Sequence, residues 1–321
     1  MPNDTGPAAT GNLPQISIQL ANFAENPPSW QPLLDLADVA DRAGVDRLVV
    51  SEHVLYGERL ELYADPKLGG AVGGKQPTSP DGHWLDPLTL LTVVGARTKR
   101  IRLGTSILLA ALRTPALLAT QAATIDVLLG GRLDIGVGVG WQREEYEACG
   151  LDFAARGTLL DRCIELCQRL WTEQVVDYDD GELRYEHIHQ MPKPVHPGGV
   201  PIWVSGRLNA RTVRRVTRYG SGWIPWGDDI ANPRPGIDAM RAAMAAAGRD
   251  PRSLQVQGTL PVVREGTVID IAATMAGVPD LVVAGVTDFR YHLRWGSDPA
   301  SVEGALTELV AAFRSTVGRA S

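Results

Sequence analysis

The stretch "GGRLDIGVGVGWQREEYEACGLDF", residues 130–153, decides the fold. Gly136, Gly138 and Gly140 follow a short apolar run, as they would in a phosphate-binding turn. A dinucleotide fingerprint, however, is spaced G-x-G-x-x-G, follows the first strand of its sheet and precedes an acidic residue ~20 positions on. Here the spacing is G-x-G-x-G, and the glycines close the fourth strand-like segment rather than the first. They need a bare backbone at a strand end for some other reason.

Working outward, apolar strands alternate with amphipathic helices. On the N-terminal side come "QISIQL" (15–20), "DRLVVSEH" (46–53) and "RIRLGTSILL" (100–109) as strands. Between them lie the helical patterns "SWQPLLDLADVADRAG", opening on the candidate cap Ser29 and closing on Gly44, and "DPLTLLTVVGARTK", with Pro87 in its first turn. "TPALLATQAATIDVLLGG" and "RGTLLDRCIELCQRLW" are the third and fourth helices. After Trp171 the rhythm breaks into a predicted hairpin turning at Asp180-Gly181 and a Pro-rich connector. It resumes with the strands "PIWVSG", "GWIPWG", "SLQVQGTLPVV" and "DFRYHL" and helices between and after them, including a short one near Val278 to Ala284.

Eight strand-like segments separated by helices predict an α/β fold, a (β/α)8 TIM barrel. Two insertions are expected, Tyr56 to Leu85 after the second strand and residues near 172 to 200 between the fourth helix and the fifth strand. Residues 15–321 read as a single domain, and the small, polar residues 1–14 as a disordered leader.

The 321 residues are 44% hydrophobic and 21% charged, the balance of a globular chain with a sizeable core. A net charge of −6 speaks against nucleic acid, which needs a basic face, and no apolar run approaches the ~20 residues of a membrane span. A signal peptide is not discernible, so a cytoplasmic location is expected. The three cysteines form no disulfide framework; Cys163 and Cys167 share a helix face, read as core packing rather than a metal site.

In a parallel barrel the chemistry gathers where strands end. The residues there are Glu52 and His53, then Thr105, Ser106 and Ile107, then Gly138, Gly140 and Trp141. Further round come Ser205, Gly206 and Arg207, then Trp223, Pro225 and Trp226, and finally Arg290 and His292. This set is rich in backbone donors, aromatics and arginines, and has no Ser-His-Asp order, paired catalytic carboxylates or metal cluster. It suits a bound cofactor that carries the chemistry while the protein positions it. Plainer readings stand beside these. His53 reads equally as a core histidine, the glycines as tight strand packing, and Arg211, Arg214, Arg215 and Arg218 as a solvated helix face from which Arg211 could reach an anion. His187, His189 and His196 read as surface residues, with zinc the lesser alternative, and no metal is expected.

With these residues in place the chain resembles the luciferase-like monooxygenase superfamily, in its actinobacterial branch of F-420-dependent oxidoreductases. The resemblance rests on "GVDRLVVSEHV", "DPLTLLTVVGARTKRIRLGTSIL", the run from "TPALLATQ" through "GVGVGWQREEYEACGLDFAARG", "VPIWVSGRLNARTVRRVTRYGSGWIPW" and "GVTDFRYHL". It implies a barrel holding a flavin or deazaflavin at its C-terminal mouth. Gly138 and Gly140 then come near the cofactor phosphate or ribityl groups. Ser205 and Gly206 match a phosphate turn at a helix N-terminus, and Glu52 and His53 an acidic-His catalytic pair beside the ring. Ser106, Ile107, Trp141, Arg207, Trp226 and Arg290 complete the implied cofactor contacts. "LGTSIL" matches a place where related deazaflavin enzymes carry a cis peptide, here Ser106–Ile107, with Ile107 backing the ring. Two departures stand out: Trp141 occupies the position of the catalytic Glu of the family's sugar-phosphate dehydrogenases, and Ser221 that of the usual Asp in "GDGW". The implied function is hydride transfer between coenzyme F-420 and a small-molecule substrate. The alternatives are an FMN-dependent monooxygenase and a non-catalytic cofactor-binding protein. A homodimer is common among such proteins.

Overall fold

The computed structural model describes residues 13–65, 74–293 and 298–320. Eight strands close into one parallel barrel in chain order. They are β1 (Gln15–Gln19), β2 (Arg47–Val50), β3 (Arg102–Leu108), β4 (Leu133–Val137), β5 (Ile202–Gly206), β6 (Gly222–Pro225), β7 (Gln255–Thr259) and β8 (Asp288–His292). β8 returns to β1, pairing Gln15 with Asp288 through Gln19 with His292. Outside run α1 (Gln31–Arg42), α2 (Pro87–Arg97), α3 (Pro115–Leu128), α4 (Arg156–Thr172), α5 (Ala210–Tyr219), α6 (Arg234–Ala246), α7 (Val278–Ala284) and α8 (Pro299–Thr316). The (β/α)8 expectation is the observed fold.

Local chemistry explains the boundaries. Apolar strand residues such as Ile16, Ile18, Leu48, Val50, Leu103 and Leu133 are fully buried and share one core with helix residues such as Leu33, Leu91, Leu118 and Leu309. Asp86 caps α2 by accepting the Thr89 N–H at 2.8 Å, with Pro87 in the first turn, where its missing donor costs nothing. Asp41 accepts the N–H groups of Lys99, Arg100 and Ile101, tying α1 to the turn into β3.

The structure corrects several sequence readings. Trp30, not Ser29, holds the cap position of α1, although the Ser29 hydroxyl still accepts the Gln31 N–H at 3.1 Å. β7 stops at Thr259; beyond Pro261, Val263–Glu265 belongs to a small hairpin with Val268–Asp270, followed by the helix Ile271–Ala276. A second unanticipated short helix, Arg143–Ala148, follows the glycine run. Both insertions are present. The first carries a turn at Leu60–Ala64 and the strand His83–Trp84, which pairs with Phe23–Ala24; residues 66–73 of it lie outside the described residues. The second is the hairpin Val176–Asp179 with Arg184–Ile188. Residues 1–12 also lie outside the described residues, but Pro14, assigned to the leader, is held through its carbonyl by Arg319 at 2.8 Å.

The barrel floor is ionic. Arg102, Asp134, Arg47, Asp288 and Arg290 form an alternating chain, with Arg47 bonded to Asp134 at 2.9 Å and to Asp288 at 3.1 Å. The ring of Trp203 lies 4.5 Å from the Arg47 guanidinium. Burial pushes the Asp134 carboxyl up, but Arg102 and Arg47 outweigh it and hold the group below its usual range. Cys163 and Cys167 are buried, and among the described residues no cluster of His, Cys, Asp or Glu is arranged to hold a metal. No described helix is long and apolar enough to cross a membrane.

Candidate active site at the C-terminal mouth of the barrel

A cavity of about 640 Å³ opens at the strand C-termini. Its size is typical of small-molecule sites. Glu52, His53, Ser106, Ile107, Gly138, Gly140, Trp141, Ser205, Gly206, Arg207, Trp226 and Arg290 all line it. Trp223 does not: it lies inside β6, fully buried, donating its indole N–H to the Gly206 carbonyl at 2.9 Å.

β3 shapes one wall. Its pairing with β4 shifts register between Thr105 and Leu108, and the Ser106–Ile107 peptide within that irregularity is cis. The irregularity explains the glycines that opened the sequence reading. A Cβ at Gly136 would come within 2.2 Å of the Thr105 carbonyl oxygen, and one at Gly138 within 2.6 Å of Ile107 Cδ1. The run is bare where β3 presses on it, and Gly138 and Gly140 also line the cavity.

His53 and Glu52 take different partners. Glu52 is spent on structure: it accepts from the Leu109 N–H and forms an ion pair with Arg113. Burial raises its pKa and Arg113 opposes the rise. With both carboxylate oxygens engaged, Glu52 braces the end of β3 while still lining the cavity with His53. The acid beside His53 is Glu145, with Oε1 3.3 Å from His53 Nδ1 and the side chain 1% exposed. Glu145 also accepts the Val54 N–H at 2.8 Å. Sequence reasoning missed it because it lies on the unanticipated helix Arg143–Ala148; the acidic "REEYEA" directly after the glycine run was the available signal.

Around His53 stand aromatic rings, of which Tyr56, Tyr63 and Trp84 had no role in the sequence reading and Trp141 did. Trp84 meets it edge-on at 4.8 Å, Tyr56 stacks at 4.5 Å, and Trp141 lies 6.0 Å away with Tyr63 against it at 5.5 Å. The Trp141 indole nitrogen is buried with no hydrogen-bond partner among the described residues.

The opposite flank is basic. Arg156, Arg207, Arg211 and Arg215 line it with Ser205 and Gly206. Arg215 is neutralised by Asp161, whereas Arg156, Arg207 and Arg211 form no ion pair among the described residues, Arg156 resting over the Phe153 ring at 4.0 Å. Asn209 caps α5 by accepting the Arg211 and Thr212 N–H groups, so part of the expected helix-terminus anion cradle is already satisfied. An anion here depends more on arginine side chains than a bare helix N-terminus would require. Arg290 lies at the floor, donating to Ser106 Oγ and Asp288, with burial lowering its pKa. Gly206 has φ +154°, and a Cβ there would sit 3.0 Å from Thr212 Oγ1. Gly206→Val is therefore expected to weaken phosphate-bearing cofactor binding about tenfold or more while the chain still folds; unchanged affinity in a folded variant would move the anion site elsewhere.

Comparison with known proteins follows this geometry. The family profile described as luciferase-like monooxygenase matches residues 14–270. An uncharacterized protein of Mycobacterium tuberculosis is 30% identical over 251 residues, 76% of this chain and 86% of that protein. The F420-dependent glucose-6-phosphate dehydrogenase of Nocardia farcinica is 34% identical over 201 residues, covering 60% of this chain and 52% of that enzyme. Among solved structures, monooxygenase RslO1 from Streptomyces bottropensis superposes with a TM-score of 0.71 at 21% identity, over 92% of this chain and 98% of that one.

Proposed function

The chain belongs to the luciferase-like monooxygenase family, and from that premise we propose that it is an oxidoreductase using coenzyme F-420 to transfer hydride to or from a small organic substrate. The observation that carries the reading is the division of one cavity between arginines without an ion pair among the described residues (Arg156, Arg207 and Arg211) and a histidine backed by a buried carboxylate. The identity with the Nocardia enzyme supports F-420 over FMN. The donor set fits the cofactor: Arg207 and Arg211 with Ser205 and Gly206 for its anionic part, Ile107, Trp141 and Trp226 for its ring system. When bound, the deazaflavin would supply the hydride chemistry.

The chain's own residues do the rest. His53 holds or accepts the proton at the substrate oxygen through Nε2, because Nδ1 is turned to Glu145. Glu145 sets the orientation of that ring, a positioning role. Glu52 and Arg113 keep Leu109 and the end of β3 in place.

Parallel titration of the purified protein with F-420 and FMN tests the assignment. Saturable F-420 binding with weak or no FMN binding is expected. Tight FMN binding without F-420 binding would instead make it an FMN-dependent monooxygenase, and cofactor binding with no turnover of any substrate would favour a carrier.

A further inference from the structure

The cavity is partitioned by charge, and the partition speaks to the substrate. The flank around His53 is built from Tyr63, Trp84 and Trp141, and Glu52, which also reaches it, is neutralised by Arg113. No arginine or lysine among the described residues on that flank is left to receive an anion; the unpaired arginines sit across the cavity. Glu145 lies behind His53 and does not line the cavity, so it offers no accessible carboxylate to an ammonium group.

Ring geometry sets the shape of the space. Trp141 and Tyr63 stand at 61° to each other, and Trp84 at 83° to His53. Trp84 is itself fixed, its indole N–H donating to Thr78 Oγ1 at 2.9 Å and its ring stacked on Phe23 at 4.4 Å. Burial keeps the Tyr63 phenol neutral by raising its pKa. Crossed, fixed rings present edges and faces to a flat apolar body and gain little from a flexible polar one. An anion there would lose its hydration and find no cation in return. Polar recognition on this flank comes from uncharged or weakly basic groups, the His53 ring, the Tyr63 phenol, Gln76 and the unpartnered indole nitrogen of Trp141.

We propose that the substrate is an uncharged, ring-bearing alcohol or ketone, aromatic or alicyclic, with its single oxygen at His53 and its ring against Trp84, Trp141 and Tyr63. This rests on the oxidoreductase reading above. It makes Trp84, delivered by the first insertion, a specificity-determining residue, and it excludes sugar phosphates and carboxylates as substrates.

The test measures binding to the F-420-loaded protein by calorimetry and tryptophan fluorescence, with KM and kcat alongside. The probes are acetophenone, 1-phenylethanol and cyclohexanone against glucose 6-phosphate, phenylacetate and phenylethylamine. The neutral compounds are expected to bind about tenfold or more tightly than the charged ones. Trp84→Ala should raise Kd and KM for the neutral ring compounds about tenfold while F-420 affinity stays unchanged and the protein remains folded, and Trp84→Phe should restore most of the loss. Tighter binding of any charged probe, or neutral-probe affinity untouched by Trp84→Ala, overturns the proposal. Should neither F-420 nor FMN bind, the oxidoreductase reading fails by itself. The neutral-versus-charged preference is then read by tryptophan fluorescence in the cofactor-free protein, where the same outcomes decide.

Discussion

His53→Ala lowers kcat about 10²–10⁴-fold with little change in cofactor affinity, the range set by losing a positioned proton-transfer group. His53 lines the cavity with its side chain 10% exposed, and Nδ1 is turned to a carboxylate. With Nδ1 buried on the Glu145 side, Nε2 is the ring nitrogen assigned to exchange a proton with a substrate oxygen. Glu145→Gln should produce a smaller fall in kcat, because the ring stays while the carboxylate that orients it is gone. Steady-state kinetics beside a cofactor titration separate the outcomes. Unchanged turnover in His53→Ala reduces the residue to packing, and an equal loss of cofactor affinity assigns it to binding instead.

Asp134→Ala costs about 3–5 kcal/mol of stability, the penalty for breaking a buried ion pair and leaving its partners uncompensated. Asp134 is the acid shared by Arg47 and Arg102, and its side chain is 4% exposed. Without it the floor carries three arginines against Asp288 alone. Chemical denaturation of the variant and the parent gives the difference directly. A loss below about 1 kcal/mol would mean that water enters the barrel floor and solvates Arg47 and Arg102. The site should also feel the change, because Arg290, at the other end of the chain, donates to Ser106 in the cavity wall.

Much of this molecule was legible in one dimension. Strand and helix alternation is a local signal: apolar runs such as "RLVV" and "LDIGV" bury whichever way the chain turns, and Asp86-Pro87 starts α2 through its own backbone. The gathering of the strand-end residues in one cavity followed from barrel geometry, since parallel strands deliver their C-terminal ends to the same face. The missed elements were short. The helix Arg143–Ala148 and the hairpin Val263–Asp270 are too brief for periodicity to register, and the apolar "LPVV" made a strand seem to run past Pro261.

Pairing was not legible, because it depends on which residues the register brings face to face. Glu52 and His53 are neighbours in the chain, yet Glu52 meets Arg113 and Leu109 while His53 meets Glu145. The glycines were visible as a motif, but their cause, the pressure of Thr105 and Ile107 from the adjacent strand, lies across the sheet. Arg47, Arg102, Asp134 and Asp288 carry no motif in the chain; closure of the barrel brings them together as one buried ionic chain. The sequence by itself determined the eightfold alternation, the order of the strands and the chemistry available at their ends, all carried by local periodicity and turn residues. Only the tertiary structure decided which acid serves the histidine, why the glycines are bare and which flank of the cavity is charged, because these depend on contacts between segments far apart in the chain.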